Sequence, residues 1–159
     1  LSSAASDVYK RQVYSYSNID PDMVTPLLHH DYKGIIHAGV GNGNFHKNIL
    51  PVLLEARKKG ILVVRSSRVP TGPTTMDAEV DDTQYQFIAS QELNPQKSRV
   101  LLILGLTKTN DWKQIQTTID KFIKAGLESF LIHDQREENA SDNFCSKISP
   151  TVTASSTLR

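Results

Sequence analysis

Two short apolar runs fix the architecture more tightly than anything else in the chain. GIIHAGV at 34–40 and ILVVRSS at 61–67 are too short for core helices, rich in β-branched residues and closed by glycine or serine. Runs of that kind predict strands buried on both faces, the condition of the centre of a parallel sheet. Between them the residues from Asn48 to Lys59 read as a helix. Asn48 is placed to cap it, Pro51 falls in its first turn, and Gly60 follows a basic last turn. Strand, helix, strand in this order is a parallel crossover unit, right-handed in nearly all known cases.

The rest of the pattern extends that unit. VYSYSNI at 13–19 predicts a first strand, and Asp20-Pro21 predicts a helix running toward Tyr32, kinked or restarted at Pro26. After the third strand, residues 66–82 form a loop too long to be a plain connection. A fourth strand is predicted at 85–89 and a helix at 94–107, with Val100, Leu101, Leu104 and Leu106 inward. Asp111 then caps a last helix carrying Trp112, Ile115, Ile119 and Phe122. The expected fold is a small three-layer, flavodoxin-like α/β domain with a four-stranded, mainly parallel sheet. Ligands of such sheets gather at the carboxyl ends of the strands, where GVGNGN and SSRVPTG both lie.

Composition narrows the partners. Lys and Arg number 18 against 17 Asp and Glu, a formal charge of +1, so phosphate neutralisation gives no reason to expect nucleic acid. No apolar run approaches the roughly 18 residues of a membrane-spanning helix, so no membrane partner is predicted. Cys145 is the single cysteine and makes neither an internal disulfide nor a thiolate metal site. His29, His30, Asp31 and His37 are the candidate metal ligands, but His29 and His30 are adjacent at a helix end and face one ion poorly. Solvated helix-end histidines are the better reading, His46 and His133 stand isolated, and no metal or cofactor is expected.

The two ends differ from the body. Residues 1–12 have no periodic apolar face and no signal-peptide core; Ser2 to Gln12 resembles the translation of a sequencing adapter. The alternatives are a non-native leader and a flexible true terminus, with no chemistry in either. Residues 123–159 are rich in Ser and Thr with scattered apolar side chains, and disorder is expected there beyond a short helical extension on Phe122, Leu127, Phe130 and Leu131.

Among the motifs, GVGNGN invites a dinucleotide reading. It lacks the last glycine of that fingerprint, which falls on Asn44, and the acidic residue about 20 positions on. Gly41 and Gly43 are explained as well by a tight turn at positive φ. Asn44 has an amide that donates and accepts and sits where ligands lie, so structural and binding roles are evenly balanced. Ser66, Ser67 and Arg68 have no base and carboxylate spaced to activate a nucleophile. The acidic group Asp77, Glu79, Asp81 and Asp82 reads either as a solvated loop or as a cluster for a metal or an amine. An extended backbone turns 77, 79 and 81 to one side.

Taken in order and spacing, GIIHAGVGNGN, VVRSSRVPTGPTT, DAEVDD and LNPQKSRVLLILGLTKT resemble the C-terminal domain of bacterial type II L-asparaginases, the asparaginase and glutaminase-asparaginase amidohydrolases. The likeness covers residues 13–122. It implies a domain that follows a larger N-terminal one holding the catalytic threonines, tyrosine, lysine and aspartate, so that no catalytic residue lies here. It further implies a periplasmic or secreted homotetramer built from intimate dimers, in which this domain completes a neighbouring subunit's pocket for L-asparagine, less certainly L-glutamine. By motif, Asn44 corresponds to the family asparagine at the pocket edge and Glu79 to the glutamate that meets the substrate's α-ammonium group. The family pattern ends near Phe122, so residues 123–159 are read-through, a shifted frame or an extension. On this reading the chain is a fragment, inactive alone. The other reading is a free-standing α/β ligand-binding or interaction domain without catalysis.

Overall fold

The computed structural model describes residues 10–129. Strands β1 (Lys10–Tyr14), β2 (Gly34–Gly39), β3 (Leu62–Ser67) and β4 (Ile88–Ala89) form one sheet in the order β1-β2-β3-β4, every neighbouring pair parallel. All six residues of β2 and all six of β3 are buried, as continuous apolar runs require of central strands.

Alternation along these strands builds two separate cores. Ile35 and Val63 point to one face with Val13, where helix α1 (Leu50–Lys58) contributes Leu53 and Ala56 and the loop before β4 contributes Phe87. Ile36, Leu62, Val64 and Ile88 point to the other, against Leu101 and Leu102 of α3 (Pro95–Leu106) and Ile115 and Ile119 of α4, a helix that begins at 112. Three layers result, each aliphatic side chain taken fully from water stabilising them by about 1.5–3 kcal/mol. One compact unit ends at Ile123 and another begins at Lys124, whose residues 124–129 are also helical.

Several element boundaries differ from the sequence expectation. β1 occupies 10–14 instead of 13–19, because a parallel edge strand is held by backbone pairing, here Lys10 opposite Gly34 through Tyr14 opposite Ala38. The predicted helix toward Tyr32 is instead two 3₁₀ turns, Pro21–Met23 and Thr25–His29. Asp20 caps the first by accepting from the Asp22 N–H, and Pro26, which has no N–H to give, sits in the second. α1 begins after Ile49 with no side-chain cap, so Asn48 does not play that part, whereas Gly60 takes the expected positive φ of 79°. The fourth strand shrinks to Ile88–Ala89 because a one-turn helix, α2 (Asp82–Tyr85), takes its first residues and ends at Gln86 with φ 58°.

α3 starts as predicted, with the Asn94 side chain accepting from the Lys97 N–H, but its buried face is Ser98, Leu101, Leu102 and Gly105. Val100 and Leu104 are 54% and 58% exposed, not inward. The i, i+3, i+4, i+7 spacing favours the former set, and Gly105 lets Ile115 approach, since a Cβ there would stand 3.2 Å from it. Phe122 is likewise exposed. The expectations for residues 1–9, and for His133, Cys145 and the rest of 130–159, lie outside the described residues.

Candidate functional site

The sequential strand order puts the loops after β2 and β3 side by side at the carboxyl edge, and two glycines fold the first into a tight turn. Asn44 N–H donates to Val40 O at 2.8 Å and Val40 N–H to Asn44 O at 3.2 Å. Gly39 must lack a Cβ, which would stand 2.2 Å from Asn44 O, while Gly43 has φ 71° and presses on Thr74, whose methyl would meet a Cβ at 2.9 Å. Glycine is thus required by close approach and backbone sign, and the outcome is that Asn44 is presented at a fixed place.

The second loop is held from below by a charge inside the sheet. Arg65, fully buried in β3, donates through Nε and Nη2 to both oxygens of Asp82 at 2.5 Å. Its remaining donors reach Asn42 O (2.8 Å) and Thr75 O (3.1 Å). One guanidinium therefore ties the turn after β2, the loop after β3 and the start of α2 together. An arginine in a buried strand demands such a partner, because an unpaired charge in that position costs several kcal/mol.

The acidic residues do not share a side. Asp77 adopts φ 54°, so the stretch is not extended. Its carboxylate accepts from the Thr83 hydroxyl and N–H, bonds that hold it below the usual carboxylate range, the hydroxyl first. Asp81 accepts from the Gln84 N–H and caps α2, and Asp82 serves Arg65. Glu79 is left for Asn44: although 35 positions apart, Asn44 Nδ2 donates to Glu79 Oε2. Glu79 is exposed, and no described Lys or Arg pairs with it. Asn44 Oδ1 is buried without a hydrogen-bond partner. Among the described residues the edge thus offers a carboxylate with no paired cation, suited to a cationic group with N–H donors, beside an amide oxygen that is enclosed and unpartnered.

Residues 11–119 match the family described as Glutaminase/Asparaginase C-terminal domain. The chain belongs to that family. Over 110 residues, 69% of this chain, it is 54% identical to L-asparaginase 2 of Escherichia coli (strain K12) and to the probable periplasmic L-asparaginase of Haemophilus influenzae. It is 41% identical over 104 residues to the glutaminase-asparaginase of Pseudomonas fluorescens biotype A. The matches cover 32%, 32% and 29% of those relatives, so this glutaminase/asparaginase C-terminal domain spans about a third of their length.

Other candidates separate from the site. His29 and His30 are exposed, and among the described residues no group of three or more His, Cys, Asp or Glu is placed to hold a metal. Ser66 Oγ donates to Leu93 O and Ser67 Oγ accepts from the Val69 N–H, so both hydroxyls serve the backbone. Among the described residues no helix is long and apolar enough to cross a membrane. Arg65 escaped the sequence reading, although an arginine inside VVRSS was itself the signal that a distant acid must be buried with it.

His37 is wholly buried in β2, in register with Arg65 and edge-on to Phe45, with neither ring nitrogen hydrogen-bonded. Burial first, and the Arg65 charge second, lower its pKa from 6.5 to about 4. The unfolded chain therefore takes up the proton first. The stability that neutral His37 confers is complete above about pH 6.5 and is lost as the pH falls toward 4, about 3 kcal/mol in all. Urea unfolding at about pH 7.5 and 4.5 should show this loss and His37→Leu should remove most of it; equal acid sensitivity in both proteins contradicts the assignment.

Proposed function

We propose that this domain forms the amine-recognising end of the substrate pocket of a complete L-asparaginase, which hydrolyses the side-chain amide of L-asparagine to L-aspartate and ammonia, with L-glutamine as a second substrate. The single observation that carries the reading is the convergence of Asn44 and Glu79, from loops far apart in sequence, into a carboxylate–amide pair with no cation of its own. Glu79 accepts the substrate's α-ammonium by a charge-assisted hydrogen bond, and Asn44 holds that carboxylate in place through Nδ2. The pair is exposed here because the rest of the pocket comes from a larger N-terminal domain of a neighbouring subunit in a homo-oligomer, a tetramer of intimate dimers. Residence in the periplasm, one of the two locations the family likeness implies, accords with the Haemophilus relative's being a probable periplasmic L-asparaginase.

The test uses a chimera in which residues 11–119 replace the matching segment of the Escherichia coli L-asparaginase 2. Glu79→Gln keeps the shape and removes the charge. Losing a charge-assisted bond from a closed pocket costs about 1.5–3 kcal/mol, on the order of ten- to a hundredfold in kcat/KM for asparagine. Remote binding energy also orients the scissile amide, so part of the loss falls on kcat. An unchanged kcat/KM makes Glu79 a solvated surface carboxylate and nothing more.

A further inference from the structure

The geometry points to Asn42, the first asparagine of GNGN, as a positioning residue that sets the Asn44–Glu79 pair, an inference that rests on the reading of the site above. Its amide meets Thr75 at both ends. Asn42 Nδ2 donates to Thr75 Oγ1 at 2.8 Å, and Asn42 Oδ1 accepts from the Thr75 N–H at 2.6 Å. Asn42 stands two residues before Asn44 and Thr75 four before Glu79, so this reciprocal pair joins the two loops just upstream of both binding groups. Beneath it Arg65 binds the backbone carbonyls of the same two residues, Asn42 at 2.8 Å and Thr75 at 3.1 Å.

The loops are therefore clasped twice, from inside by a guanidinium and from outside by an amide. The two halves differ in consequence. Arg65 is part of the core, and its loss unsettles the domain; Asn42 is only partly buried, so its side chain is free to serve geometry alone. A side chain here must accept from the Thr75 N–H and bond the Thr75 hydroxyl at once. A primary amide does so, and so does a carboxylate, to which the hydroxyl turns as donor. Alanine does neither. Misplacement of binding groups by a fraction of an ångström weakens orientation far more than it weakens folding.

Two measurements test this. In the chimera, the preference for asparagine over succinamate, the same amide without the α-amino group, reads amine recognition separately from overall turnover. Asn42→Ala should cut that preference about tenfold and Asn42→Asp should restore most of it, with the thermal midpoint little changed. Glu79→Gln is the reference. If Glu79→Gln abolishes the preference and Asn42→Ala does not alter it, the clasp is overturned alone; if Glu79→Gln leaves it intact, the reading of the site and the clasp fall together. In the chain itself, amide exchange at Asn44, whose N–H is bonded to Val40 O, should quicken about tenfold in Asn42→Ala while Leu53 in α1 is unaffected. Unchanged exchange at Asn44 overturns the inference whatever the kinetics.

Discussion

Purified by itself, the chain is expected to release ammonia from asparagine about 10⁴-fold or more slowly than the chimera, the scale of loss when an enzyme has no activated nucleophile. Four hydroxyls at the sheet edge are committed or enclosed. Ser66 donates to Leu93 O, Ser67 accepts from Val69, Thr75 accepts from Asn42, and Thr74 Oγ is buried. His37, before the turn, is buried beneath Phe45 and held neutral well below pH 6, while His46, after it, accepts the Asn48 N–H at Nδ1. A hydroxyl and a base must meet within hydrogen-bonding reach before acyl transfer gains a covalent route. Ammonia release by the isolated chain at rates near those of the chimera would falsify the assignment of catalysis to another domain.

The second large effect falls on stability. Asp82→Ala leaves the Arg65 guanidinium buried beside two carbonyl acceptors with no counter-charge, and breaking a buried pair from one side costs about 3–5 kcal/mol. Against the roughly 5–15 kcal/mol of a small domain, that is enough to leave a large unfolded fraction in mild urea. Replacing both partners, Arg65→Met with Asp82→Leu, should recover much of the loss, because the cost lies in the uncompensated charge and not in the missing attraction. It should not recover loop order, since both carbonyl bonds to the two loops are gone. A double variant no more stable than Asp82→Ala would mean that the carbonyl bonds, and not the charge, carry the stability.

These two expectations rest on features of unequal visibility in the sequence. The β2-α1-β3 unit was plain because continuous apolar runs and a glycine stop are local signals, and local signals survive folding when tertiary contacts agree with them. The register of α3 was not, because Val100, Leu101, Leu102 and Leu104 offer two apolar faces and only Gly105 packing on Ile115 selects one. Pro26 signalled an interruption, but whether it kinks a helix or sets a 3₁₀ turn depends on the buried neighbours Val24 and Leu28. At the site, Asn44 and Glu79 emerged through family likeness, while residue chemistry left each of them evenly weighed or inclined to solvent.

What no local pattern contained was the division of labour among four acids. Asp77 turns left-handed, Asp81 caps, Asp82 neutralises Arg65, and Glu79 alone remains for a ligand. Each duty is fixed by a partner at a different distance in the chain, and the decisive one, Arg65 with Asp82, joins residues 17 apart across the sheet edge. The exposure of Glu79 has the same origin: among the described residues its carboxylate has one neutral partner, Asn44.

The central claim is that Glu79 receives the α-ammonium group of the substrate. A crystal structure of the chimera with L-aspartate bound tests it most directly. The ligand's ammonium nitrogen should lie about 2.8 Å from a Glu79 oxygen, with Asn44 Nδ2 still donating to the other. An ammonium group held by other residues, with Glu79 turned to solvent, would contradict it.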